Sequence, residues 1–286
     1  MGRSGAAFMK LLAPAKLNLF LHIIGRREDG YHLLQTIFQF LDYSDEIELA
    51  LREDGKIRRL SGLSSVKAED DLVVRAAKLL KKHTNTAYGV DISVDKKLPV
   101  GGGLGGGSTD AATVLVGLNQ LWQCHLSIDN LADLGLQLGA DVPVFVRGKS
   151  AWGEGVGELL EPIILPEVWF LVLHPNVFVS TAELFSDQAL TRDCEPFKIA
   201  RFLEGYGSNV FEPVVRNKHS EIAEAIDWLS SYSPARLTGS GSCIFAKFPN
   251  KNIAQDVLNE LPSRWHGFVA KGVNKSPLYT SLEKKM

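Results

Sequence analysis

The stretch "LPVGGGLGGGSTDAA", Leu98 to Ala112, carries six glycines in the seven positions from Gly101 to Gly107 and passes at once into a helix-forming run. Each glycine in an ordered segment costs about 0.5–1 kcal/mol of conformational entropy relative to alanine, so six together demand a reason. A flexible linker is longer and mixed with serine, whereas this run is short and abuts a helix. The remaining reading is a loop that something approaches closely. Gly101, Gly103 and Gly106 satisfy the G-x-G-x-x-G dinucleotide pattern, but that match is cheap in a six-glycine run. Its context is also wrong, because "VDISVDKKLP" is a charged, alternating strand ending in proline rather than an apolar parallel one. A Walker A loop needs lysine just before its serine or threonine, and Gly107 stands there. What survives is physical: backbone N–H groups converge on phosphate oxygens, and the following helix offers its positive end. The inference is a phosphate cradle of a third type.

The rest of the composition sets the frame. A chain of 286 residues, 45% of them hydrophobic, is long enough for two cores. With 31 Lys and Arg against 33 Asp and Glu, the formal charge is −2, which argues against a nucleic-acid-binding surface. Cys124, Cys194 and Cys243 are far apart, odd in number and form no C-x-x-C pair, which suits a reducing compartment. No apolar run approaches the roughly 18–20 residues that span a bilayer, and no secretory leader is evident, so the expectation is a cytoplasmic protein with no membrane partner. Residues 1–8, "MGRSGAAF", precede a second methionine and are set aside in reading the fold.

Along the chain, "AKLNLFLHII" alternates, with Leu17, Leu19, Leu21 and Ile23 on one face and Lys16, Asn18, Phe20 and His22 on the other, predicting a half-buried strand. The Asp29-Gly30 pair predicts a turn, after which "HLLQTIFQFLD" returns antiparallel. "DEIELALRE" and "GVDISVDK" read as further strands, and Asp70 to His83 as a helix with a basic last turn. After the glycines, "STDAATVLVGLNQLW" reads as a largely buried helix, with Ser108, Thr109 or Asp110 available to cap it. "SIDNLADLGLQLG" predicts another helix, stopped by Gly139. The pattern resets near Pro162 to Pro166; beyond it, "VWFLVLHP", "SCIFAKF" and "GFVAKGV" read as strands, with helices near Ala182–Ala189 and Ile222–Ser230.

At this point the chain resembles the GHMP kinases, which include galactokinase, homoserine kinase and mevalonate kinase. "LPVGGGLGGGSTDAA" looks like a glycine-rich version of their central loop, "PAKLNLFLHIIGRREDGYH" like the first motif, and "RLTGSGSCIFA", from Arg236 to Ala246, like the third. The three occur in order and the resemblance covers nearly the whole chain. It implies an α+β, two-domain GHMP kinase fold: a ribosomal protein S5 domain 2-like, ATP-binding domain over residues 1–163 and a ferredoxin-like, acceptor-binding domain over residues 164–286. Together with "LGADVPVFV", the motifs look most like the branch that serves non-mevalonate isoprenoid synthesis. The implied reaction is transfer of the ATP γ-phosphoryl group to the 2-hydroxyl of 4-diphosphocytidyl-2-C-methyl-D-erythritol. A sibling kinase and a catalytically silent nucleotide-dependent regulator are the rivals; the "GYH" segment with Phe185 argues against the first, and retention of Lys16 and Asp141 against the second.

The resemblance assigns roles residue by residue. Phosphoryl transfer asks for positioning, a proton acceptor and donors around the moving group. Asp141 would be the base and Lys16 the cation that keeps it ionised. Period two places Asn18 beside Lys16, so both can face one cleft. Tyr31 would stack on cytosine, His32 read its polar edge and Phe185 close the sandwich, with Thr181 and Gly239 as further substrate contacts. Pro99, Val100, Gly101, Gly102, Gly103, Leu104, Gly105, Gly106, Gly107, Ser108 and Thr109 would bind ATP. Gly239, Ser240 and Gly241 would line the cleft near the phosphates. Asp71 stands where the family motif has asparagine, so no purine contact is carried over to it. Mg²⁺ is expected to accompany ATP, held by phosphate oxygens and water, since no carboxylate cluster or histidine pair announces a metal cage. A monomer and a homodimer fit the sequence equally.

Overall fold

The computed structural model describes residues 7–64 and 66–283. Strands β1 (Phe8–Arg26) and β2 (His32–Arg52) form a long antiparallel hairpin, pairing Phe8 with Ala50 at one end and Arg26 with His32 at the other. The expected turn closes it: Arg27 N donates to Tyr31 O at 2.7 Å, and Gly30 takes φ +90°. Of the eight leading residues set aside, 1–6 lie outside the described residues. Ala7 and Phe8 belong to the fold, because Leu51 N donates to Ala7 O at 2.9 Å and Phe8 opens β1.

The alternation over Ala15–Ile24 misleads in one respect. Every residue from Ala13 to Leu21 is buried, the supposed polar face included. Leu11 and Ala13 pack into a first core with α2 (Gly106–Leu121), while Leu21 and Ile23 reach a second core built from the later half of the chain. Register slips between Pro14 and Lys16 and between Asn18 and Leu21 break the strict period, and such bulges re-aim side chains. The face carrying Lys16 and Asn18 therefore looks into a protein cleft, not into solvent.

The two strands expected at His32–Asp42 and Asp45–Glu53 are one, since no glycine or proline interrupts "DYSD". A short strand β3 (Ile57–Arg59) escapes sequence reading; it pairs in parallel with β4 (Gly89–Asp95). Helix α1 (Leu72–Thr84) lies where its spacing places it, and Asp71 caps it by accepting from Val73 N at 3.1 Å while pairing with Arg59. Asp71→Ala should cost about 0.5–2 kcal/mol, read as a lower Tm by circular dichroism, while Asp71→Asn retains the capping oxygen and loses less.

Helix α2 starts inside the glycine run. Its N-cap is Gly105 in the left-handed region, and no side chain caps it, contrary to the expectation for Ser108, Thr109 or Asp110. Helices α3 (Ile128–Leu136) and α4 (Val142–Arg147) follow, the latter unassigned from sequence and opening directly after Asp141 with Pro143 in its first turn. The hairpin β5 (Ala151–Glu154) and β6 (Leu159–Pro162) joins β2.

The later half runs β7 (Trp169–His174), α5 (Thr181–Ser186), α6 (Ile199–Leu203), α7 (Glu212–Lys218), α8 (Ser220–Ser230), β8 (Ala235–Leu237), β9 (Ile244–Phe248), α9 (Lys251–Asn259), β10 (His266–Val273) and α10 (Pro277–Glu283). Its antiparallel strands take the order β8-β9-β7-β10, and β10 pairs Gly272 with Leu41 of β2, so one sheet runs through both halves. The anticipated division at residues 163/164 is crossed by α10, whose Leu278 and Leu282 return to the first core. Among the described residues, no helix is long and apolar enough to cross a membrane.

Candidate active site

Two cavities meet between the halves. One, of about 500 Å³, is lined by the glycine loop, the start of α2 and Phe178–Thr181; the other, of about 970 Å³, by β1, the β1–β2 turn and α5. Lys16, Ser108, Asp141, Thr181, Gly239 and Ser240 line both.

The glycine loop forms the wall of the smaller cavity. Gly101, Gly103 and Gly105 all take positive φ, alternating with Gly102 and Leu104, the kind of alternation that turns successive N–H groups into a common concavity. The leading N–H groups of α2 have neither an intrahelical acceptor nor a side-chain cap, so they are free for an anion. At Gly103 a Cβ would lie 2.2 Å from Thr238 O, because the glycine loop is seated against the loop 238–241 of the other half. Cys243 N donates to Gly102 O at 3.1 Å across the same contact. Pro99 to Ser108 all line this cavity. Thr109 does not: it is fully buried, with no partner for its hydroxyl among the described residues. Of residues 99–109, Thr109 is thus the one whose side chain is turned into the core rather than toward this cavity.

Lys16 is 2% exposed and satisfied on all three ammonium protons. Its Nζ donates to Asn18 Oδ1, to Gly103 O at 3.0 Å and to Asp141 Oδ2 at 3.3 Å. Asn18 is fixed in turn, donating from Nδ2 to Thr36 Oγ1 at 2.9 Å and from its backbone N to Thr238 Oγ1 at 2.9 Å. Thr36 had no sequence signal. The side chain of Asp141 is 36% exposed and caps nothing, leaving its carboxylate open to the cavities.

In the larger cavity, the sandwich expected between Tyr31 and Phe185 is arranged differently. Phe185 stacks on His32, with ring centroids 4.8 Å apart and planes 19° from parallel, while Tyr31 stands 64% exposed on the rim. The hairpin register explains this: His32 is the first residue of β2, whereas Tyr31 still belongs to the turn. Burial lowers the His32 pKa, helped by the charges of Arg192 and Arg26, so the ring is neutral at pH 7. Its Nε2 is buried and has no partner among the described residues. Arg192, which sequence reading missed, donates to Phe185 O at 2.8 Å and Asp187 O at 2.7 Å and so holds the end of α5. Thr181 Oγ1 bonds Ser240 Oγ at 2.7 Å, and Asn209 Nδ2 donates to Gly239 O at 2.8 Å, fixing the third-motif loop over the junction.

Residues 71–149 match the GHMP kinases N terminal domain and residues 188–267 the GHMP kinases C terminal domain. The 4-diphosphocytidyl-2-C-methyl-D-erythritol kinase of Nitrosococcus oceani is 59% identical, covering 95% of this chain and 97% of that protein. The protein of the same name from Halorhodospira halophila is 55% identical over 94% of this chain and 95% of its own. A crystal structure of 4-(cytidine 5'-diphospho)-2C-methyl-D-erythritol kinase superposes with a TM-score of 0.80 at 31% identity, over 92% of this chain and 99% of that one. Both halves of the chain thus carry the family's domains, in the order and with the two-domain α+β architecture the motifs imply: the chain belongs to the GHMP kinases.

Proposed function

We propose that this kinase is a cytoplasmic enzyme that transfers the γ-phosphoryl group of ATP to the 2-hydroxyl of 4-diphosphocytidyl-2-C-methyl-D-erythritol. The observation that carries the reading is the position of the Lys16–Asp141 pair, which lies where the two cavities meet. ATP phosphates would lie along the glycine loop and the start of α2, in the half spanning residues 1–163. The cytidyl group would lie against Tyr31, His32 and Phe185, closed over by residues 164–286, and the unpartnered Nε2 of neutral His32 supplies a hydrogen-bonding group for the base edge. The names of the two curated relatives support the acceptor.

Asp141 accepts the proton of the acceptor hydroxyl as the oxygen attacks phosphorus in line. Lys16, held by Asn18 Oδ1 and Gly103 O, keeps the Asp141 carboxylate oriented and offsets charge on the attacking oxygen. The leading N–H groups of α2 face the charge that spreads over the transferred group. Mg²⁺ would neutralise phosphate charge when bound with ATP, held by phosphate oxygens and water.

ADP release is measured with the diphosphocytidyl alcohol and with the same alcohol lacking its cytidyl group. Turnover of the first alone is expected; equal turnover of both overturns the nucleobase slot, and turnover of neither overturns the acceptor assignment. Tyr31→Ala should weaken the acceptor by about 1–3 kcal/mol, on the scale of base–aromatic stacking, with the KM for ATP unchanged. An unchanged acceptor KM would move the slot away from Tyr31.

A further inference from the structure

The wall of the nucleotide cavity holds a second charged cluster that the reaction chemistry does not use. Lys96, on the segment leading from β4 to the glycine loop, pairs with Asp45 of β2 and, at 2.8 Å, with Asp110 of α2. The Lys96 ammonium packs against the first residue of α2, 3.3 Å from where a Cβ on Gly106 would stand. Asp45 is 0% exposed and fully engaged, its Oδ1 accepting from Lys97 N at 2.5 Å and Leu98 N at 2.8 Å. Asp110, 5% exposed, has Lys96 on Oδ2 alone, and its Oδ1 is buried without a partner among the described residues.

One ammonium thus serves two buried carboxylates. The charged side chains lining the cavity are Lys16 and Lys96 against Asp70, Asp71, Asp110 and Asp141, so the wall is acidic before a polyanion enters. Arg59 offsets Asp71, the cap of α1, and Lys16 of β1 offsets Asp141, whereas Lys96 alone faces Asp45 and Asp110, which leaves that cluster with an excess negative charge. A nucleotide phosphate chain adds more charge of the same sign, and repulsion across a poorly solvated wall is screened by salt much less than repulsion between exposed charges.

We propose that nucleotide binding in this cavity is coupled to the uptake of one proton by Asp110, with Lys96 and Asp45 as the positioning residues that direct the proton there. Both oxygens of Asp45 are occupied by donors, Oδ1 by Lys97 N and Leu98 N and Oδ2 by Lys96, whereas Asp110 has a bare oxygen ready to carry a hydrogen. Burial pushes the Asp110 carboxyl up to about 7, with Lys96 opposing and Asp45 adding to the rise. The sign follows: below that value Asp110 already holds the proton and binding takes up little; above it the proton must come from solvent, and affinity falls as pH rises. The inference rests on the reading of this cavity as the nucleotide site.

The test is calorimetric titration of the whole protein with Mg-ADP, in buffers of different ionisation enthalpy. At about pH 8, where Mg-bound ADP is fully ionised, the wild type should take up most of one proton per nucleotide, with affinity falling up to about tenfold per pH unit. Asp110→Asn keeps a carbonyl oxygen for Lys96, and should show neither the uptake nor the pH dependence, with tighter binding than wild type at that pH. Binding without proton uptake by the wild type, or equal uptake by the variant, overturns the coupling and leaves the nucleotide site standing. No binding of Mg-ADP at all overturns both.

Discussion

Asp141→Asn should lower kcat by about 10²–10⁴, the range that loss of a general base produces, while the KM for ATP stays nearly unchanged. The substitution preserves volume and the start of α4, because the Asp141 side chain makes no cap bond and is 36% exposed. Lys16 keeps Asn18 Oδ1 and Gly103 O as acceptors, so its ammonium stays in place. Thermal stability should therefore match wild type, and the defect should appear in steady-state turnover alone. Turnover close to wild type would remove Asp141 from the base role and leave positioning and charge stabilisation to account for the rate.

Gly103→Ala should damage both stability and turnover. The position has φ +76°, which costs a residue bearing a Cβ about 1–2 kcal/mol. The added atom would also stand 2.2 Å from Thr238 O and 3.1 Å from Gly241 O, so the glycine loop must leave the loop of the other half, at about 1–3 kcal/mol more for overpacking. Because Gly103 O accepts from Lys16, the displacement reaches the catalytic pair as well as the phosphates. Gly107→Ala is the control: its backbone is helical and its nearest neighbour is the end of a leucine side chain, Leu72 Cδ1 at 3.1 Å. A lowered Tm and lowered kcat/KM are expected for Gly103→Ala, and a near-normal Tm for Gly107→Ala; equal stability of the two would contradict the seating of the loop.

The glycine loop was legible because its physics is local: a run without side chains, then an apolar helix. Helix α1 and the Asp29-Gly30 turn were legible for the same reason, the one through its spacing and basic last turn, the other through its turn pair. The polar face of β1 was visible but its surroundings were not, since alternation separates two faces without saying whether the polar one meets water or a cleft. The burial of Thr109 was not visible, because a hydroxyl beside a hydroxyl carries no information about which of the two faces the cavity. His32 and Phe185 were both named from sequence, yet their stacking depends on where α5 docks, which Arg192 fixes through backbone carbonyls. The Asp45–Lys96–Asp110 cluster joins β2, the segment after β4 and α2, and no spacing rule connects residues brought together only by the fold.

The most direct test of the account is the phosphorus NMR spectrum of the product formed from ATP and 4-diphosphocytidyl-2-C-methyl-D-erythritol. The 2-hydroxyl sits on a carbon that bears the methyl branch and no hydrogen. A phosphate placed there must give a new monoester resonance without proton splitting, alongside an intact diphosphate, and that is the predicted result. A monoester signal split by protons on its ester carbon, or inorganic phosphate beside ADP with no new monoester, would contradict transfer to that hydroxyl from the site around Lys16 and Asp141.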